Sequence, residues 1–167
     1  MKKLLYILRH AKAEAAADTA DDHARPLAER GRADAARLGQ WLGAQALGPQ
    51  SILCSTAERT RQTLEALTLD APAAFSDRLY LASATEMLDL IRNTDATTSR
   101  LMLIGHNAGA HELVALLTAD GTDEDIDRLR LSYPTCALAI LSYEGSWNSL
   151  KPATMTLEKL LYPGDLA

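Results

Sequence analysis

The chain has 167 residues, which suits one domain over residues 1–167 and is too short for two complete enzyme domains. Hydrophobic residues make up 47% of it and charged residues 23%, so the composition is that of a globular protein and excludes a disordered one. With 17 Lys and Arg against 22 Asp and Glu, the net charge of −5 argues against a nucleic-acid partner or an anionic membrane surface, while a local basic site stays open.

The first part of the chain alternates short apolar runs with patterns typical of helices. Residues 4–8 form a continuous apolar run of the buried-strand type, and residues 51–55 form a second short strand. Residues 27–47 between them have the apolar spacing of a helix, which Gly48 and Pro49 end. The Ala- and Asp-rich residues 13–24 are expected to form a loop.

The middle of the chain continues the alternation. Ser55 and Glu58 have the spacing of a capping box, so we expect a second helix to begin there. Residues 75–81 fit either a strand or an extended loop. Residues 83–92 are predicted to form a helix, because their apolar residues fall on one face.

The last part of the chain supplies a third buried strand at residues 101–104, followed by a turn and a helix over residues 108–117. Residues 123–131 fit a short acidic helix. Residues 136–143 and 147–150 alternate apolar and polar side chains, which predicts a hairpin of sheet-edge strands. Strand–helix repeats of this kind favour a mostly parallel sheet with helices on both faces, a three-layer α/β/α sandwich.

Several kinds of site and location are disfavoured by the sequence. No run approaches the ~18 apolar residues of a membrane span, and the apolar run before Arg9 is shorter than the core of a signal peptide. The two cysteines lack CxxC spacing and the four histidines lack H-x-x-x-H spacing, which argues against a disulfide scaffold and a zinc site. We therefore expect a cytoplasmic protein without a membrane partner, a metal or another cofactor.

Residues that suit anion binding follow each of the three buried strands. Ligands of open α/β sheets bind outside the carboxyl ends of the strands. Arg9 and His10 follow the first strand, Arg59 follows the second, and His106 follows the third. Gathering groups that are or can become cationic is costly unless an anion lies among them. Phosphate suits them best, because arginine binds it through two parallel hydrogen bonds and helix N-termini add backbone donors.

Histidine at such a site also offers nucleophilic chemistry. A neutral imidazole nitrogen can attack phosphorus in line and form a phosphohistidine, which water then hydrolyses. The surrounding cations would stabilise charge on the transferring phosphoryl oxygens, so that no metal would be needed.

Three segments, residues 8–11 (LRHA), 55–63 (STAERTRQT) and 105–107 (GHN), together resemble the histidine phosphatase superfamily. That family has a phosphoglycerate mutase-like fold and carries an RHG signature, an S-x-x-x-R-[TA]-x-x-T segment and a late GH. The resemblance is closest to its short bacterial branch, the SixA-like phosphohistidine phosphatases, which residues 25–27 (RPL) and 79–80 (LY) also match. It extends from residue 1 to about residue 117.

The resemblance implies a role for each matching residue. His10 corresponds to the nucleophile. The predicted phosphate-binding residues are Arg9, Arg25, Arg59, His106 and Asn107. Ala11 stands where the family has glycine, a residue that permits close backbone approach, so we expect a slightly shifted loop and retained activity.

The general acid has three candidates. Related mutases use a glutamate in the segment that follows the third strand-like region, and Glu86 is the nearest match here. Asp21 and Asp22, in the loop before Arg25, are the alternatives. An imidazole leaves more readily than an alkoxide, so a strong acid matters less if the substrate is phosphohistidine.

The predicted function is that of a metal-independent phosphatase acting on protein phosphohistidine. Thr63 and Leu101 are 38 positions apart, and the elements expected between them leave little chain for a lid over the site. An open pocket fits a protein surface such as the histidine-bearing helix of a phosphotransfer domain. The alternatives are a small-molecule phosphomonoesterase and a non-catalytic phosphate- or phosphoprotein-binding member of the fold.

Overall fold

The structure is a computed structural model that describes residues 1–17, 21–46 and 48–166. Its strands are β1 (Lys2–Arg9), β2 (Ser51–Ser55), β3 (Ala73–Ser76), β4 (Arg100–Gly105), β5 (Thr118–Gly121), β6 (Leu138–Glu144) and β7 (Met155–Leu161). Its α-helices are α1 (Glu29–Ala44), α2 (Glu58–Leu67), α3 (Ala84–Arg92), α4 (Gly109–Leu117) and α5 (Asp123–Leu131). Short 3-10 helices span Asp22–Ala24, Asp77–Leu79, Trp147–Ser149 and Pro163–Leu166. Over these ranges no helix has the length and apolar character needed to cross a bilayer.

The strands form one mixed sheet in the order β3-β2-β4-β1-β6-β7-β5. The half from β3 to β1 is parallel, whereas β6 runs antiparallel to both of its neighbours, β1 and β7. β5 closes the far edge in parallel with β7. Because β2, β4 and β1 are neighbours, their carboxyl ends lie side by side.

Alternation along β1 shows how the layers are built. Leu5 and Ile7 pack with residues of α3 and α4, and the intervening Tyr6 and Leu8 pack with residues of α1 and α2. Successive side chains of a strand point to opposite faces, so the two helix pairs cover opposite faces of the sheet. The side chains of Leu5, Ile7 and Leu8 are fully buried, and the burial of each contributes roughly 1.5–3 kcal/mol. This strand is therefore central to the core. The predicted three-layer α/β/α sandwich is confirmed.

The predicted strands at residues 4–8, 51–55 and 101–104 are confirmed as β1, β2 and β4. The first helix begins at Glu29, two residues later than predicted, because Ala28 is its N-cap; its predicted end at Leu47 lies outside the described residues. Residues 18–20 of the predicted loop also lie outside them. Residues 75–81 contain the end of β3 and a 3-10 turn, so both interpretations of that segment were partly right.

The predicted capping box at Ser55 and Glu58 is wrong. Ser55 is the last residue of β2, and α2 has Ala57 as its N-cap without a side-chain hydrogen bond. The Ser55 hydroxyl instead contacts His106, a partner that sequence spacing does not reveal. A complete capping box occurs at Ser83 and Glu86, which open α3.

The predicted hairpin is wrong in its second strand and in its position. Residues 147–149 form a 3-10 turn, in which the buried Trp147 donates its indole N–H to the Thr98 carbonyl at 2.8 Å. This anchored tryptophan and the buried Leu150 produce the alternation that resembled a strand. The partner of β6 is β7, and both strands lie inside the sheet, since β3 and β5 form its edges.

Candidate active site

The carboxyl ends of β1, β4 and β2 assemble the candidate site. Arg9 ends β1 and is followed by His10, whose backbone N–H donates to the Gly105 carbonyl at the end of β4 (3.0 Å). On the other side, the backbone N–H of Cys136, just before β6, donates to the His10 carbonyl (2.9 Å). The main chain of the predicted nucleophile is thereby fixed by both neighbouring strands.

The ring of His10 is oriented by its own loop. It is 7% exposed, and its Nδ1 lies 2.7 Å from the Ala11 carbonyl oxygen. A carbonyl oxygen only accepts, so Nδ1 carries the hydrogen and donates it. In the neutral ring, Nε2 is then left with its lone pair, the state that a nucleophile requires.

Ala11 is accommodated without strain. Its N–H donates to the Thr63 hydroxyl (3.0 Å), which in turn donates to the Arg59 carbonyl (2.7 Å). It is not among the described residues that have a positive φ, so the backbone here does not require glycine. The close approach occurs at Gly31 of α1, where a Cβ would lie 2.1 Å from the Lys12 carbonyl oxygen. That glycine lets α1 pack directly on the loop after His10.

Arg59 and Arg9 are held by backbone carbonyls. Arg59, on the first turn of α2, is 2% exposed and donates from Nη1 to the Asp22 carbonyl (2.8 Å) and from Nη2 to the Asp22 carboxylate (3.2 Å). Arg9 donates from Nη1 to the Tyr133 carbonyl (3.1 Å). Burial and the nearby Arg59 charge lower the pKa of Arg9 from its usual value. Two guanidinium groups thus stand close together in a largely buried place.

His106 lies against His10. Its ring centre is 5.3 Å from that of His10 and 5.5 Å from that of Tyr80, which meets it edge-on. The residue is 1% exposed, and its Nε2 is 2.8 Å from the hydroxyl oxygen of Ser55. The strand-end serine and the surrounding rings therefore fix the imidazole plane.

Three of the predicted site residues have a buried nitrogen atom without a hydrogen-bond partner. In the described residues, five buried side-chain polar atoms have no hydrogen-bond partner, and three of them are Arg9 Nε, Arg59 Nε and His106 Nδ1. Buried polar groups normally find partners, so a cluster of such atoms calls for an explanation. The two arginine nitrogens are donors by necessity, and an anion bound among them would accept their hydrogens. Helix α2, which follows β2, also begins without a side-chain cap.

Asp22 links the arginines at the rim of the site. Its carboxylate accepts from Arg59, from Nε of Arg25 (3.0 Å) and from the Tyr80 hydroxyl. The Tyr80 hydrogen bond, followed by the charges of Arg59 and Arg25, lowers the pKa of Asp22 to about 2 against the opposing effect of desolvation. Arg25 also donates to the Glu14 carbonyl (3.0 Å), which holds it next to the predicted pocket.

A chain of hydrogen bonds beside Tyr80 contains a further histidine, His23, which belongs to none of the three sequence motifs. The Thr56 hydroxyl donates to the Asp77 carboxylate (2.6 Å), so it accepts from Nε2 of His23 (2.9 Å). The His23 ring packs edge-on against Tyr80, with ring centres 4.8 Å apart. No local pattern would have found these contacts, because the four residues come from three segments that are distant in sequence.

Two predicted site residues have other partners in the structure. The Asn107 amide nitrogen donates to the Tyr133 carbonyl (2.8 Å), the same carbonyl that holds Arg9, and its oxygen accepts from the His111 N–H (3.3 Å). Glu86 is exposed, and one of its carboxylate oxygens accepts from the N–H and the hydroxyl of Ser83. Substrate contact by Asn107 and acid catalysis by Glu86 remain predictions.

Burial sets the charge of the two histidines. Desolvation, aided by the Arg59 and Arg9 charges, lowers the pKa of His10 to about 4. Desolvation and the proximity of His10 lower the pKa of His106 to about 3. Both imidazoles are therefore neutral at pH 7, each with one ring nitrogen that carries a hydrogen and one that does not.

We expect both imidazoles to stay neutral down to about pH 5 in an NMR titration of ¹⁵N-histidine-labelled protein. Their folded-state pKa values, about 4 and 3, lie below the usual 6.5, so the unfolded chain binds more protons at acidic pH. Stability is therefore lost as the pH falls from about 6.5 towards 4. A His10 midpoint near 6.5 would contradict this expectation, and the His10→Asn variant identifies its signals.

Comparisons with known proteins show the family of this chain. Residues 5–80 match the model of the histidine phosphatase superfamily, branch 1. An uncharacterized protein of Mycobacterium tuberculosis is 36% identical over 152 residues, which cover 90% of this chain and 96% of the relative.

Solved structures of SixA proteins have the same fold as this chain. The SixA protein of Nakamurella multipartitia, described as a candidate phosphohistidine phosphatase, superposes with a TM-score of 0.88 at 30% identity, covering 98% of this chain and 97% of its own. A SixA protein of Agrobacterium tumefaciens with the same description gives a TM-score of 0.78 at 29% identity, covering 96% and 98%. The fold is thus phosphoglycerate mutase-like, and this chain is a phosphatase that belongs to the SixA-like branch of the histidine phosphatase superfamily.

Proposed function

We propose that the protein hydrolyses protein phosphohistidine through a phosphoryl group carried transiently on Nε2 of His10. The observation that carries the proposal is the geometry of His10: its Nδ1–H is used by the Ala11 carbonyl, which leaves an unprotonated Nε2 beside a cluster of unpartnered buried nitrogens. The partner we propose is a histidine phosphotransfer domain. We place the reaction in the cytoplasm, where the free buried Cys54 and Cys136 would stay reduced.

In the first step, Nε2 of His10 attacks the phosphorus atom. A bond forms between Nε2 and phosphorus, while the bond between phosphorus and the substrate nitrogen breaks with its electron pair going to that nitrogen. Arg9, Arg59 and His106 bind the three equatorial oxygens, on which charge is spread in the transition state. The released imidazole takes up one proton.

In the second step, water attacks the phosphorus atom of phospho-His10. The bond between phosphorus and Nε2 breaks, one water proton is released, and orthophosphate leaves with His10 restored. The charge stabilisation in both steps comes from the chain's own cations, and for this reason we propose a reaction that needs no metal.

We propose Glu86 as the general acid in preference to Asp22. The pKa of Asp22, about 2, keeps its carboxylate ionised at neutral pH, and its hydrogen bonds to Tyr80, Arg59 and Arg25 favour that state. Glu86 has only one carboxylate oxygen engaged in its capping box, so the other is available to carry a proton.

The short chain between Thr63 and Leu101 supports a protein substrate. Between Thr63 and Leu101 the chain forms the end of α2, β3, a 3-10 turn and α3. β3 pairs with β2 in the sheet, and α3 packs against α4, so both belong to the sandwich. Within the described residues this interval contains no separate helix or hairpin that could fold over His10. A substrate that brings its own binding surface fits such a chain better than a small ester enclosed by a lid.

A comparison of kcat/KM values tests the substrate. We expect kcat/KM for a phosphorylated histidine phosphotransfer domain to exceed kcat/KM for phosphoserine, sugar phosphates and aryl phosphates by about 10²-fold or more. The reason is that the protein surface adds binding contacts. Released orthophosphate is the readout.

Free phosphohistidine is the matched control, because it has the same labile bond between phosphorus and nitrogen but no protein surface. We expect it to be a poor substrate. Equal kcat/KM values for free phosphohistidine and the phosphoprotein would disprove the role of the protein surface. A higher kcat/KM for a small ester would show that the ester, and not protein phosphohistidine, is the substrate.

A further inference from the structure

Ser55 is a serine at the site whose hydroxyl does not cap a helix. It ends β2, is fully buried, and lies three positions before Glu58, yet Ala57 is the N-cap of α2. Its oxygen accepts from the Ala57 N–H at 3.3 Å and lies 2.8 Å from Nε2 of His106. The contact with His106 is therefore the better reason for a hydroxyl at this position.

The direction of the hydrogen bond between Ser55 and His106 follows from the available partners. The Ala57 N–H already occupies one lone pair of the hydroxyl oxygen. Among the described residues, Nε2 of His106 is the acceptor that the hydroxyl hydrogen can reach. If the hydroxyl accepted from His106 as well, its own hydrogen would be buried without a partner, which is costly. Ser55 thus donates, and Nε2 of His106 accepts.

This direction decides what the other ring nitrogen can do. With Nε2 as an acceptor, the single hydrogen of neutral His106 resides on Nδ1. Nδ1 is buried and unpartnered, like the Nε atoms of Arg9 and Arg59. In this tautomer it is a third N–H donor for a phosphoryl oxygen. In the other tautomer a lone pair would face the phosphoryl oxygens and repel them.

We propose that Ser55 is a positioning residue that fixes His106 in the tautomer with hydrogen on Nδ1, so that the ring donates to the transferring phosphoryl group. This inference rests on the proposed phosphatase reaction but not on the identity of the substrate. Ser55 acts only through His106. The Ala57 N–H supports this role by donating to the hydroxyl oxygen, which leaves the hydroxyl hydrogen for His106.

The test is an ¹⁵N NMR spectrum of histidine-labelled protein at pH 7, in which a protonated ring nitrogen and an unprotonated one differ strongly in chemical shift. We expect His106 to have a protonated Nδ1 and an unprotonated Nε2 in the wild-type protein. In Ser55→Ala we expect the signals to change towards a mixture or the reverse tautomer. Orthophosphate, used as the binding probe, should inhibit this variant about 10-fold less tightly. Orthophosphate selects the tautomer with hydrogen on Nδ1, and without the Ser55 hydroxyl this tautomer leaves the buried Nε2 of His106 without a donor.

Ser83→Ala is the matched control, because Ser83 also stands three positions before a glutamate but caps α3. We expect it to leave the His106 signals unchanged. A wild-type His106 with its hydrogen on Nε2, or a Ser55→Ala spectrum identical to wild type, overturns the proposal. The wild-type spectrum decides the tautomer even if Ser55→Ala fails to fold. Failure of the substrate proposal would appear separately, as equal turnover of small esters with an unchanged spectrum.

Discussion

Replacing His10 with asparagine should lower kcat by about 10⁴-fold or more while changing the affinity for orthophosphate only a few-fold. Asparagine can keep the hydrogen bond to the Ala11 carbonyl through its amide nitrogen, but it has no atom equivalent to Nε2. Both side chains are neutral at pH 7, since the pKa of His10 is about 4, so the charge of the site is preserved. The substitution therefore removes the proposed nucleophile with little other change.

Rapid quenching of the reaction with ³²P-labelled substrate provides the second readout. The wild-type enzyme should carry an acid-labile, base-stable label, as expected for a phosphohistidine, and His10→Asn should carry none. Turnover of His10→Asn within 10-fold of wild type, or a retained label, would show that another residue is the nucleophile. Loss of activity together with loss of orthophosphate binding would point to a binding role instead.

Replacing Arg59 with lysine should lower kcat/KM by about 10²-fold, although the positive charge is retained. The guanidinium donates to both the carbonyl and the carboxylate of Asp22, and its Nε remains unpartnered in the cluster beside His10. A lysine amine has no planar fork, so it cannot keep the Asp22 contacts and also bind a phosphoryl oxygen. Inhibition by orthophosphate should weaken in parallel.

Arg61→Lys is the matched control for this variant. Arg61 lies two positions further along α2, but it is exposed, packs over the Phe75 ring at 4.3 Å and donates to the Thr56 carbonyl. We expect kcat/KM within about 2-fold of wild type, as for most surface substitutions. Equal losses in the two variants would mean that Arg59 acts through general charge and not through its position.

The parts of the fold that sequence reasoning predicted correctly are those with a strong local signal. β1, β2 and β4 are short apolar runs because helices cover both faces of the sheet there, and the residues after them converge because the strands are parallel neighbours. This is enough to predict that Arg9, His10, Arg59 and His106 come from neighbouring strand ends.

The features that were missed depend on contacts between distant parts of the chain. β5 is a polar edge strand of four residues, so it has no apolar run to detect. The carboxylate of Asp22 meets Arg59 and Tyr80 across 37 and 58 positions of sequence, in loops without periodicity. Ser55 was misinterpreted because a hydroxyl three positions before a glutamate has the same local pattern whether it caps a helix or orients a histidine.

The strand order has a consequence for the time at which the enzyme becomes active during folding. The predicted site residues lie at or after the ends of the first, second and fourth strands in the chain, which become neighbours only when β4 inserts between β1 and β2. Before this insertion, His10 lacks the Gly105 carbonyl and Arg59 has no His106 opposite it. Long-range pairings of this kind form slowly, since their loops must close first. Catalytic competence therefore requires all three strands, and a chain in which only two of them have paired lacks part of the site.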